Sequence, residues 1–177
     1  MPEFLNALFV ENGIGLAIAG GMLAVMFGGW GSARGLRIAG AQTAGALAEK
    51  PELFGKLLVL TALPGTQGFY GLIGAIFIAM KTNLMKTKEL GLPALDPMMG
   101  FALFAIGLGL GVVLCISAIA QGETSAACIN LTAKKPEEGG RSILFPALVE
   151  TYAVVALLAA ILLINWLMAA APAAPGA

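Results

Sequence analysis

The chain contains no histidine. That removes the commonest metal ligand and the commonest general base at neutral pH. Charge is scarce as well: Asp, Glu, Lys and Arg make up 11% of the 177 residues, where a soluble domain carries about 25%. The two signs balance to a net charge of +0 and no basic patch stands out, which argues against nucleic acid as a partner. Cysteine occurs twice, at Cys115 and Cys128. On one helix their spacing puts them about 20 Å apart, too far for a disulfide. Neither a zinc pattern nor a redox motif is present, so both are read as buried thiols serving as small apolar side chains. The opening MPEFLNALFVEN holds Glu3 and Glu11 but no Lys or Arg. A cleavable signal peptide needs a positive start, so the first apolar segment is expected to stay as a span.

What the chain has instead is apolar length. Hydrophobic residues make up 59% of it. Four segments reach the roughly 20 apolar residues that cross a bilayer: residues 12–33, 57–80, 97–122 and 142–166. Helix is expected to run beyond these limits, because Ala and other good helix formers continue into the polar flanks. The connectors carry nearly all the charge. Arg34, Arg37, Lys50 and Lys56 follow span one, and Lys134, Lys135 and Arg141 follow span three. Between spans two and three lie Lys81, Lys86 and Lys88, offset by Glu89 and Asp96. Seven cations against three put the 1–2 and 3–4 loops in the cytoplasm and both termini outside.

The chain repeats itself. Gly31-Ser32-Ala33-Arg34 aligns with Ala120-Gln121-Gly122-Glu123, Lys50-Pro51-Glu52 with Lys135-Pro136-Glu137, and Leu63-Pro64 and Tyr70 with Phe145-Pro146 and Tyr152. The offsets are 89, 85 and 82, and the motifs keep one order in a helix-loop-helix unit. We read a tandem duplication of parallel orientation, unlike the inverted repeats of many transporters. The expected fold is all-α: four membrane helices in two hairpins, residues 1–93 and 94–177. Glycine crowds span one and recurs in span three, whereas spans two and four carry bulky Leu, Ile and Phe and, on span four, Trp166. Small residues let helices approach closely in lipid. Spans one and three are therefore expected to form a tight inner layer, with two and four outside it.

Glu150 is the one charge between residues 142 and 177. A carboxylate at mid-membrane costs about 2.5–3.5 kcal/mol on insertion scales, so a proton, a metal ion or a paired cation must compensate it. Leu63, Thr66, Gln67 and Tyr70 fall on one face of span two. Gln121 supplies a further amide from span three. Pro64 and Pro146, read as mid-helix prolines, free the carbonyls of Leu60 and Ser142 and loosen that of Leu63. A hydroxyl, two amide oxygens, a carbonyl and one carboxylate make an oxygen cage of single charge, suited to a monovalent hard cation such as Na⁺. A proton needs only Glu150 and one acceptor, and the polar residues would then serve as bonds between helices. Glu123, near the cytoplasmic end of span three, is read as an interfacial charge. Trp30 and Trp166 are read as packing or interface anchors.

LPGTQGFYG at residues 63–71, AIAQG at 118–122, AKKPE at 133–137 and LVETYA at 148–153 resemble the rotor proteolipid (subunit K) of V-type and A/V-type rotary ATPases. The resemblance covers about residues 10–168 and leaves the tail APAAPGA outside. It implies a homo-oligomeric rotor ring in lipid, with no catalytic chemistry of its own. A stator subunit and central-stalk subunits, reached through the cytoplasmic loops, would be its partners. In the sodium-carrying pattern, the backbone of Leu63 and the side chains of Thr66, Gln67, Gln121 and Glu150 would hold Na⁺, and Tyr70 would lock the carboxylate. H⁺ is the alternative cargo, and a small independent cation/proton exchanger is the alternative of another class. Gly68 falls opposite Glu150 in the repeat, so the first hairpin lacks a carboxylate.

Overall fold

The computed structural model describes residues 2–6, 9, 11–86 and 94–170. Lys88, Glu89 and the tail from residue 171 lie outside the described residues, and the expected hairpin boundary at 93/94 falls at the edge of the undescribed stretch 87–93 that holds Lys88 and Glu89. Among the described residues, four helices are long and apolar enough to cross a membrane: α1 (Ile14–Glu49), α2 (Pro51–Lys81), α3 (Pro97–Lys134) and α4 (Pro136–Ala169). They extend past the uncharged segments into the polar flanks, as the helix-forming flanks predict.

Local chemistry sets their ends. Asn12 Oδ1 accepts from the backbone N–H of both Ile14 and Leu95, tying the start of α1 to the approach of α3. Asp96 caps α3 by accepting from the N–H groups of Met98 at 2.9 Å and Met99 at 3.3 Å, with Pro97 in the first turn where no donor is missed. At their other ends α1 and α3 stop identically. Lys50 (φ −136°) precedes Pro51 and Lys135 (φ −134°) precedes Pro136, because a residue before proline is pushed out of the helical region. Lys50 Nζ then donates to the carbonyl of Ala133 and Lys56 Nζ to that of Pro136. Loop 1–2 thereby brings positive charge to the electronegative end of α3.

The inner pair is α1 against α3, which make the most extensive contact in the molecule. They run parallel. Gly20 meets Phe104 and Gly107, Gly31 meets Cys115, and Gly35 meets Ala118 and Gly122. A Cβ on Gly31 would lie 2.5 Å from Cys115 Cα, and one on Gly122 would lie 2.5 Å from Gly35 Cα. Side chains are absent here so that backbones can touch, and close packing is what joins helices in lipid. In the most apolar stretches of α1 and α3, 44% of residues are buried, against 28% in α2 and 17% in α4. The inner and outer layers expected from glycine content are therefore present.

Both prolines stand beside a local interruption of their span. Pro64 sits in a single 3₁₀ turn, Leu63–Gly65, that interrupts α2. Pro146 lies inside α4, three residues after a turn at Ile143, whose backbone stays helical at φ −60° and ψ −28°.

Both cysteines are buried and free, as expected. The repeat is visible in the bonds. Thr43 and Thr61 hydroxyls pair at 2.6 Å at the loop end of the first hairpin. Thr132 and Ser142 hydroxyls pair at 3.1 Å at the loop end of the second.

Candidate functional site

The polar residues singled out on α2, α3 and α4 meet in one place, and they are bonded in series. Thr66 follows the 3₁₀ turn directly, and its hydroxyl lies 3.1 Å from the Leu63 carbonyl and 3.3 Å from Gln67 Oε1. Gln67 Nε2 donates to Gln121 Oε1 at 2.6 Å. Gln121 Nε2 donates to the Pro146 carbonyl at 3.0 Å and reaches Glu150 Oε2 at 3.5 Å. Tyr70 closes the far side, its hydroxyl donating to Glu150 Oε1 at 2.6 Å. Gln67 and Gln121 are fully buried, while Leu63, Thr66, Tyr70 and Glu150 are half-buried.

Each element contributes for a local reason. The 3₁₀ turn brings the Leu63 carbonyl under the Thr66 side chain. One helical turn carries the chain from Thr66 and Gln67 to Tyr70, keeping all three on the side that faces α3 and α4. Gln121 stands on α3 beside Gly122, whose missing side chain lets α1 and α3 touch.

The donors in this network are spent on one another while the oxygens are not. A carbonyl or amide oxygen has two lone pairs and a hydroxyl oxygen two. Gln67 Oε1 and Gln121 Oε1 each use one on the bonds above and the Thr66 oxygen uses none, while the Leu63 carbonyl also accepts the Thr66 backbone N–H. What remains is a cluster of positioned oxygens around one carboxylate. Such a set suits a hard cation of single charge.

The carbonyl of Pro146 is a partner that sequence reading missed. It orients Gln121, and nothing in a side-chain pattern marks a backbone acceptor. Two further bonds were missed: Ser117 Oγ donates to the Val149 carbonyl at 3.2 Å, and the Gly68 N–H donates to Ser32 Oγ at 2.9 Å. Ser32 and Gly68 are the repeat counterparts of Gln121 and Glu150. Glu123, Trp30 and Trp166 are exposed and lie outside the bonded cluster. Thr151 is also exposed, its hydroxyl turned back to the Leu148 carbonyl at 2.7 Å.

Residues 13–78 and 104–163 match the family model of the ATP synthase C subunit. The two matched stretches fall one on each hairpin. Over 161 residues the chain is 35% identical to the V-type sodium ATPase subunit K of Enterococcus hirae, covering 90% of this chain and 97% of that protein. It is also 39% identical over 149 residues to the A-type ATP synthase subunit K of Methanocaldococcus jannaschii, covering 84% of this chain and 61% of that longer protein.

Proposed function

The chain belongs to the ATP synthase C-subunit family, and from that premise we propose that it is a rotor-ring subunit of a V- or A-type ATPase carrying Na⁺ on Glu150. The observation that carries this reading is the unbroken chain of bonds from the Leu63 carbonyl to the Glu150 carboxylate. Two buried glutamines and a threonine held in series are more than proton carriage by Glu150 and one acceptor requires. The named function of the Enterococcus hirae relative supports the same cargo.

In this mechanism Leu63 O, Thr66 Oγ1, Gln67 Oε1, Gln121 Oε1 and a Glu150 oxygen bind the ion. Tyr70 holds the other carboxylate oxygen and keeps the side chain turned inward. With Na⁺ in place Glu150 is neutralised and the site can face lipid. At the stator, a cationic side chain of another subunit displaces the ion, and rotation driven by ATP turnover in a soluble head refills the site. The cationic 1–2 and 3–4 loops come together at one end of the subunit, through the Lys50 and Lys56 bonds. This supports assigning that end to the cytoplasm, against the central stalk, with both termini outside.

Sodium uptake by vesicles carrying the whole complex tests the cargo. With a protonophore present, ATP-driven Na⁺ uptake persists if Na⁺ is the ion carried, and collapses if protons are pumped and exchanged. Thr66→Val tests the cage. The change keeps the shape and removes one oxygen. A hydrogen bond to a charged group is worth about 1.5–3 kcal/mol, so, taking a lost oxygen ligand as comparable, the Na⁺ concentration for half-maximal uptake should rise about 10- to 100-fold. An unchanged value would remove Thr66 from the ligand set.

A further inference from the structure

The interruption of α2 creates a need that α2 itself does not meet. After the 3₁₀ turn Leu63–Gly65 the helix resumes at Thr66, with Gly65 in the capping position. Gly68 falls in the first turn of the resumed helix, where N–H groups must find partners outside the helical ladder. The usual partner is the side chain of the capping residue, which accepts from the second or third N–H. Gly65 has no side chain, and no side-chain cap is made there. The cap comes from another helix instead. Ser32 of α1 is buried, and its Oγ accepts from the Gly68 N–H at 2.9 Å.

The packing of α1 makes this possible. Gly28, Ser32 and Gly35 recur at helical spacing along the interruption. A Cβ on Gly28 would lie 2.9 Å from the Gln67 carbonyl oxygen, and one on Gly35 would lie 2.7 Å from Pro64 Cβ. With both side chains absent, α1 comes close enough for a short serine to reach the backbone of α2. The interruption also carries much of the ion site. Leu63, Thr66 and Gln67 supply a carbonyl, a hydroxyl and an amide oxygen from one short stretch. Their oxygens keep their relative positions only while the turn keeps its shape. Pro64 fixes one backbone angle there, whereas Gly65 is the most permissive residue in the chain's alphabet.

Resting on the sodium-site reading, we infer that Ser32 is a positioning residue for the ion. It does not touch the cation and acts through the Gly68 N–H. By holding the first turn of the resumed helix, it sets Thr66 and Gln67 against the Leu63 carbonyl before the ion arrives. A site ordered beforehand binds more tightly, because less ordering remains to be done on binding.

A bond that only joined two helices would behave differently, and Thr132 supplies the comparison. Its buried hydroxyl pairs with Ser142 between α3 and α4, about 16 Å along α3 from Gln121. Carbodiimide labelling of Glu150 in the purified ring, titrated with Na⁺ at fixed pH, reads the ion site in both variants. Ser32→Ala should raise the half-protecting Na⁺ concentration about 2- to 30-fold, the span that loss of a helix cap covers. Ser32→Cys, a weaker acceptor of similar shape, should fall between Ser32→Ala and the wild type. Thr132→Val should lower the heat resistance of the ring and leave the Na⁺ requirement as it was. Amide hydrogen exchange without Na⁺ gives a second readout, since the Gly68 N–H should exchange faster in Ser32→Ala. An unchanged Na⁺ requirement in Ser32→Ala overturns the positioning role, whether or not exchange at Gly68 quickens. Labelling of the wild-type ring that ignores Na⁺ overturns the sodium reading itself, and the positioning role with it.

Discussion

Replacing Glu150 by Gln abolishes ATP-driven Na⁺ uptake while leaving the ring assembled. The amide keeps the shape of the side chain and can still accept the Tyr70 hydroxyl, which lies 2.6 Å away in the wild type, so the packing around it survives. What disappears is the single negative charge facing the cation. At an effective dielectric constant of about 20, opposite charges 4 Å apart attract by about 4 kcal/mol, equivalent to roughly a thousandfold in affinity. A site weakened that far no longer fills at cellular Na⁺, and a ring without bound ions cannot pass the stator. Uptake assays on vesicles, beside a native gel for ring content, check both halves. Near-normal uptake by the variant would sink the assignment of Glu150 as the carrier.

Gly31→Leu should have the largest effect on stability. Its Cβ would fall 2.5 Å from Cys115 Cα and almost as close to that residue's carbonyl. These are backbone atoms of a neighbouring helix, which no rotamer change can move aside. Overpacking of ordinary cores costs about 1–3 kcal/mol. Here the two helices must separate along their main contact, so a loss of roughly 4 kcal/mol or more is expected. Gly55 is the control. It is exposed, and nothing lies within 4 Å of its would-be side chain. Ring remaining after graded heating in mild detergent should fall sharply for Gly31→Leu and hardly change for Gly55→Leu. Equal behaviour of the two would mean that the α1–α3 contact is not what holds the subunit together.

Much of this was legible in the sequence because the signals are carried by side chains. A lone carboxylate in an apolar span needs a partner, and Thr66, Gln67 and Tyr70 stand on one helical face at spacings that periodicity reveals. The glycine excess in spans one and three likewise announced the inner layer. Backbone-dependent features were not legible. The turn at Ile143 borders an apolar run with no glycine to mark it. The Pro146 carbonyl that orients Gln121, and the carbonyls that take Lys50 and Lys56, have no letter in the sequence. They become partners only once the helices are packed.

A sodium site at Glu150 is tested most directly by carbodiimide labelling of the purified ring across a Na⁺ titration at constant pH. The readout is the modified Glu150 peptide by mass spectrometry. If the oxygen cluster holds Na⁺, added Na⁺ slows labelling in a saturable way and K⁺ does not. Labelling that follows pH and ignores Na⁺ would contradict the site. Glu150 would then be a proton carrier, and Thr66, Gln67 and Gln121 would be bonds between helices.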